Sequence, residues 1–170
     1  MSKVIFFFVF FVYIHGSSAL EKTGDILQIL IPAMGYGTVL YLGDDEGQNQ
    51  FYKSFGTNLS ITYALKYSIN RQRPNGADYS FPSGHTSSAF QGASFIHQRY
   101  GLGYAIPAYL GGILVGYSRV KAKAHYTSDV VFGAVLGTLS TVYFTTSYQD
   151  YTLAPQNMGS GYGIEVKKKF

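Results

Sequence analysis

The chain has 170 residues, 46% hydrophobic and only 13% charged, with 20 Gly, 16 Tyr, 13 Phe and neither Cys nor Trp. That length is one domain and excludes a two-domain cofactor enzyme, while the lack of cysteine excludes disulfides, thiolate zinc sites and cysteine nucleophiles. A formal charge of +4, from 13 Lys and Arg against 9 Asp and Glu, favours anionic partners, and so apolar a chain is a packed core or meets lipid rather than being disordered.

Residues 1–19 read as an export signal. Lys3 precedes an apolar run from Val4 to Ile14, and Ser17 and Ala19 are small residues at −3 and −1 of a cut before Leu20. His15 belongs to this segment. The run is shorter than the roughly 17–25 residues of a spanning helix; an uncleaved N-terminal anchor is the alternative.

Residues 20–150 form the main domain, read as mostly helical. Ile26 to Leu42 is an uncharged helix that Pro32 and its glycines bend. Asp44, Asp45, Glu46 and Gly47 make an exposed acidic turn. Phe51 to Ile69 places Phe51, Phe55, Leu59, Tyr63 and Tyr67 on one helical stripe. Arg71 to Ser83, with two prolines and a glycine, is a loop. Thr86 to Arg99, Tyr104 to Ser118 and Val130 to Thr146 are three further helices, the last capped by Thr127 or Ser128. Residues 151–170 are an irregular tail whose alternation Ile164, Glu165, Val166, Lys167 suggests one short strand.

Three stretches lack charge: 18 residues between Asp25 and Asp44, 19 between Arg99 and Arg119, and 20 between Asp129 and Asp150. Each approaches the length that crosses hydrocarbon. Their Gly, Ser, Thr and Pro content also suits the core of a soluble bundle, but length without charge is the better spanning criterion and favours membrane association.

The unusual polar residues gather in three clusters: Lys66 with Arg73 and Pro74; Pro82, Ser83, Gly84 and His85; and Ser118, Arg119, His125 and Asp129. Taken singly, each cation reads as a snorkelling helix end and His125 with Asp129 as a surface pair. Together they describe an anion site. Arg offers a planar fork to phosphate, and Ser83, Gly84 and His85 stand where a loop enters a helix, with outward N–H groups. Gly84 lacks a Cβ that would hinder approach. The i, i+4 spacing of His125 and Asp129 lets a carboxylate fix the imidazole tautomer.

These clusters read Lys-x6-Arg-Pro, Pro-Ser-Gly-His and Ser-Arg-x5-His-x3-Asp. The arrangement resembles the type 2 phosphatidic acid phosphatase superfamily, which includes lipid phosphatases, class A acid phosphatases and vanadium haloperoxidases. All three parts are present, in order, from Lys66 to Asp129. The resemblance implies an all-α helical bundle with the phosphate site at clustered helix ends. It implies that His125 attacks phosphorus and forms a phospho-histidine, that Asp129 orients His125, and that His85 protonates the leaving group. Lys66, Arg73, Arg119, Ser83 and the Gly84 amide would bind the phosphoryl oxygens, and neither metal nor cofactor would be needed.

The implied substrate is a phosphomonoester or pyrophosphate, foremost of a lipid head group, handled outside the cytoplasm at a membrane or in the periplasm. An exported acid phosphatase on soluble esters and a non-catalytic membrane protein retaining the site are the alternatives. The seven residues between Pro74 and Pro82 and the 32 between His85 and Ser118 leave little room for a lid. Selectivity then falls to nearby aromatics such as Tyr79, Phe81, Tyr104 and Tyr126. His97 matches no motif position and reads as structural. The basic run Lys167 to Lys169 is too short to suggest nucleic acid.

Overall fold

A computed structural model describes residues 17–148, 151–157 and 162–168. Five helices run α1 Ser17–Leu42, α2 Asp45–Ile69, α3 Gly84–Tyr100, α4 Leu102–Lys121 and α5 Thr127–Phe144. Most of the predicted export signal, with Lys3, the run to Ile14 and His15, lies outside the described residues. The predicted cut falls in the first turn of α1, which continues unbroken through Pro32.

Helix α3 is the axis, touching each of the other four helices. Its small residues permit this. A Cβ on Gly137 of α5 would lie 2.2 Å from the Ser87 carbonyl oxygen, so only glycine lets α5 approach so closely. Two apolar clusters fill the interior. Ile31, Ala89, Ala93, Ile96, Ala105, Ala108 and Val115 join α1, α3 and α4, while Val39, Phe51 and Phe95 join α1, α2 and α3.

Between α2 and α3 the interior is polar. The buried face of α2 carries Ser54, Asn58 and Thr62. Gln91 donates to Ser54 Oγ at 3.0 Å, Asn58 to Ser87 Oγ at 3.3 Å, and the Thr62 and Ser87 hydroxyls pair at 3.1 Å. This corrects the predicted apolar stripe. Phe51 and Phe55 do meet the core, but Leu59, Tyr63 and Tyr67 of the same stripe are exposed. Periodicity finds a helix; it does not say which face the neighbouring helix covers.

The outer surface is correspondingly apolar. Ile26, Ile29, Leu110, Ile113, Val131 and Leu139 are all exposed. Two helices, over Ser18–Leu42 and Thr127–Phe144, are long and apolar enough to cross a membrane. Only 22% and 28% of those windows are buried, so neither is a wrapped core helix.

Three local expectations change. Asp44 is not in an exposed turn: it is 2% exposed, caps α2 by accepting from the Gly47 N–H at 2.9 Å, and pairs with Arg99. Helix α5 is closed not by Thr127 or Ser128 but by Asp129, whose carboxylate accepts from the Tyr126 N–H at 3.0 Å. The tail is more regular than predicted: Tyr151–Asn157 (β1) and Tyr162–Lys168 (β2) form an antiparallel hairpin, with Leu153 opposite Val166. The bundle itself is all-α, as the resemblance implies and the helical reading of residues 20–150 expects.

Candidate active site

The three sequence clusters converge at the end of the bundle where α2 ends and α3 begins. Lys66 stands in the last turn of α2, Arg73 in the following loop, and His85 in the first turn of α3. Arg119 ends α4, and His125 precedes α5. Lys66, Arg73, Gly84, His85 and His125 line one open cavity of about 460 Å³. Arg119 and Asp129 stand behind that wall, each almost wholly buried.

His125 is 3% exposed. Its Nδ1 lies 2.6 Å from the Ser80 carbonyl oxygen, an acceptor, so Nδ1 carries the proton and Nε2 keeps its lone pair. That is the tautomer a nucleophilic histidine needs. Burial, helped by the Lys66 and Arg73 cations, lowers the pKa of His125 to about 4. At neutral pH it is therefore uncharged.

The expected carboxylate contact on an imidazole nitrogen is absent as a direct bond: Asp129 stands 3.9 Å from His125 Nδ1. Its own bonds go to Ser80 Oγ at 2.5 Å, Arg71 Nη1 at 2.9 Å and the Tyr126 N–H. Asp129 thus reaches His125 through Ser80, whose hydroxyl it holds and whose carbonyl faces the imidazole. Two residues the motifs did not flag enter here. Ser80 is fully buried, and Arg71 stacks on Tyr126 with its guanidinium 4.1 Å from the ring centre. Arg71 lies two residues before Arg73, inside the first cluster, and that proximity was the available signal.

The cations are disposed unequally. Lys66 Nζ donates to the carbonyls of Tyr79 at 2.9 Å and Pro82 at 2.8 Å, which pins it over the loop with one N–H remaining. Arg73 donates from Nε to the Asp78 carbonyl at 3.0 Å. Arg119 turns toward α1, donating to Asp25 Oδ1 at 2.9 Å and to the Glu21 carbonyl at 2.5 Å. Asp25 Oδ1 also lies 3.0 Å from His85 Nε2. Nothing singled out Asp25 in the sequence beyond its place at the edge of an uncharged run.

Ser83 differs from expectation in one respect. It caps α3, and its buried hydroxyl meets the Thr86 hydroxyl at 3.0 Å and N–H at 3.4 Å. The cap occupies the hydroxyl, which leaves only the backbone of the α3 first turn to meet an anion as predicted. A Cβ on Gly84 would stand 3.7 Å from Lys66 Cε and Thr62 Cγ2, an ordinary contact. Gly84 keeps open cavity space rather than relieving a clash. His97 is far from this chemistry, its Nδ1 3.2 Å from the Tyr109 hydroxyl between α3 and α4.

One wall of the cavity is different in kind. Phe55, Leu59, Tyr63 and Tyr67 of α2 run away from Lys66 along it, joined by Tyr79. Leu59, Tyr63 and Tyr67 are the exposed members of the stripe, so an apolar trough leads directly to the cations. Among the described residues no group of three or more His, Asp or Glu could hold a metal ion.

The PAP2 superfamily profile matches residues 50–153. A lipid A 1-phosphatase of Porphyromonas gingivalis is 42% identical over 73% of this chain and 30% of its own length. A phosphatidylglycerophosphatase B of Bacillus subtilis is 32% identical over half of each chain. The chain thus spans half or less of these curated relatives. The crystal structure of a transmembrane PAP2-type phosphatidylglycerolphosphate phosphatase from Bacillus subtilis superposes with a TM-score of 0.59, at 27% identity and 78% coverage of both chains. That of Aquifex aeolicus LpxE shares the fold, with a TM-score of 0.57 at 20% identity over 79% of this chain and 98% of that one.

Proposed function

The chain belongs to the PAP2 superfamily, and from that membership we propose that it is a membrane-associated phosphatase acting on a phosphomonoester or diphosphate of a lipid, through a phospho-histidine. The observation that carries the reading is a neutral His125 with Nε2 free, facing a cavity that is cationic at one end and apolar along α2. The phosphoryl group would meet Lys66, Arg73 and the N–H groups opening α3, while the hydrocarbon lies against Leu59, Tyr63 and Tyr67.

In the first step His125 Nε2 attacks phosphorus, the bond to the leaving oxygen breaks, and that oxygen takes a proton from His85. Water then attacks the phospho-histidine, giving a proton to His85 as the P–N bond breaks. Charge developing on the phosphoryl oxygens is met by preorganised cations and amides, each charge-assisted hydrogen bond being worth about 1.5–3 kcal/mol. This scheme calls on no cofactor. The shared fold and the names of the relatives support it, as do the two helices able to cross a membrane. Outward orientation and cleavage of residues 1–19 belong to the same proposal. A cut before Leu20 would leave Glu21 and Asp25 in place, and N-terminal sequencing of the exported protein decides it.

The test is phosphate release by detergent-solubilised protein on a lipid phosphate and on a small aryl phosphate, beside His125→Ala. Release that depends on His125 supports the phosphatase. A preference for the lipid supports the trough, whereas equal rates favour a broad acid phosphatase.

A further inference from the structure

We propose that Asp25, on α1, is a positioning residue for proton transfer to the leaving group: one carboxylate oxygen holds His85 Nε2 and Arg119 Nη1, so that His85 presents Nδ1–H to the departing oxygen. This rests on the phosphatase reading and adds to it a residue outside all three motifs.

The geometry is specific. Asp25 Oδ1 lies 3.0 Å from His85 Nε2 and 2.9 Å from Arg119 Nη1, joining residues 60 and 94 positions away. One turn earlier the Glu21 carbonyl accepts from Arg119 Nη2. Helix α1 can supply both acceptors because it passes close to α4. A Cβ on Gly24 would fall 2.1 Å from Ser118 Oγ and 2.8 Å from Arg119 Nη2. A carboxylate on a helix apolar enough to span a membrane is costly unless it has a task and a partner; Asp25 has two partners, both at the site.

His85 then has one nitrogen committed and one available. Among the described residues Nδ1 has no protein partner, and His85 shares the cavity wall with His125. Burial, with Arg119 and Lys66, lowers the pKa of His85, and the Asp25 carboxylate opposes them by favouring the charged ring. As the imidazolium, His85 donates from both nitrogens. Asp25 accepts from Nε2 and fixes the ring, and Nδ1–H faces the ester oxygen. When the bond from phosphorus to that oxygen breaks and the bond to His125 Nε2 forms, the oxygen takes the Nδ1 proton. His85 is left neutral, its Nε2–H still on Asp25. In the second half Nδ1 recovers a proton from the attacking water. The two histidines would thus use opposite nitrogens, each fixed by an acceptor on the other: the Ser80 carbonyl for His125 and Asp25 for His85.

The experiment compares wild type, Asp25→Asn and Asp25→Ala on two esters with the same phosphoryl group, dodecyl phosphate and p-nitrophenyl phosphate. An alkoxide needs a proton as it leaves and nitrophenolate does not. Asp25→Asn should lower kcat by about 10²-fold on the dodecyl ester and less than about 10-fold on the nitrophenyl ester, the difference being the general-acid contribution. His85→Asn should show the same split, and adding Asp25→Asn to it should cost less than about threefold more, because groups acting as a unit are not additive. Equal losses on both esters, or a double variant whose losses multiply, would overturn the proposal. If wild type shows no His125-dependent release from either ester, the phosphatase reading itself fails and this proposal with it.

Discussion

The two ends of α3 carry similar residues and do opposite things with them. At the C-terminal end Arg99, 3% exposed, donates to both oxygens of buried Asp44, at 2.7 and 2.5 Å, and to the carbonyls of Thr146 and Ser147 at 3.0 and 3.2 Å. Tyr100 adds its hydroxyl to Asp44 at 3.2 Å. Every strong donor there ends on a protein acceptor, and the result ties the start of α2 to the end of α5. At the N-terminal end, among the described residues, Arg71 and Arg119 pair with Asp129 and Asp25, while Lys66 and Arg73 bond only backbone carbonyls. The surplus is positive, and it borders a cavity. A closed cluster holds helices together; one left short of carboxylates and open on one side is suited to an anion.

The sharpest test of this contrast is His125→Ala. Turnover should fall to background while the protein keeps its helical spectrum, since His125 is the proposed nucleophile and supports no helix. Retention of a tenth of the activity would remove it from that role.

Next in size, Arg73→Ala should lower kcat/KM by about 10²-fold, the loss from one preorganised donor. The same assay on Asp44→Asn should show activity per folded molecule changed by only a few-fold. If Asp44→Asn were as damaging to turnover as Arg73→Ala, the two ends would not be functionally distinct.

Stability should respond the other way round. Asp44→Asn keeps an acceptor for the cap but leaves buried Arg99 with only the exposed Glu46 as a charge partner, a loss of about 3 kcal/mol. The paired replacement Asp44→Leu with Arg99→Met should recover much of it, because well-packed apolar groups often replace a buried ion pair at little cost. Denaturation in detergent would read both. Arg73→Ala, at the end whose charges are not paired off, should move the transition least.

The mildest effect is on the pH profile. His125 must be neutral to attack, and its pKa is lowered to about 4 by burial and by the Lys66 and Arg73 cations. Protonation therefore removes activity only near that value, and the acid limb of kcat/KM should fall well below the ordinary histidine range. Lys66→Met removes one of the cations that depress it, so the limb should move to higher pH. An acid limb already near 6.5 in the wild type would contradict the site as drawn.

Much of this was legible in the residue order. Uncharged runs and helical spacing located all five helices, because hydrogen bonding within a helix is local and the spacing of apolar residues follows the helical repeat. Lys66, Arg73, His85, Arg119 and His125 stood out because chemistry fixed their types and short loops fixed their spacing. The hairpin was half legible: alternation at 164–167 suggested β2, but its partner β1 contains Pro155, which reads as irregular.

Other features were decided only by tertiary packing. Asp44 looked like part of a solvated turn until Arg99, 55 residues on, was brought against it. The buried side of α2 turned out to be Ser54, Asn58 and Thr62, leaving its apolar stripe to line the cavity, because α3 offers Ser87 and Gln91 as hydrogen-bond partners. Asp25 and Ser80 gained their places from contacts spanning 60 and 45 residues. The residue order by itself determined the helices and the chemical inventory, since both depend on neighbours along the chain. Which carboxylate holds which histidine depends on a few ångströms between helices, and those distances exist only once α1, α3, α4 and α5 have packed together.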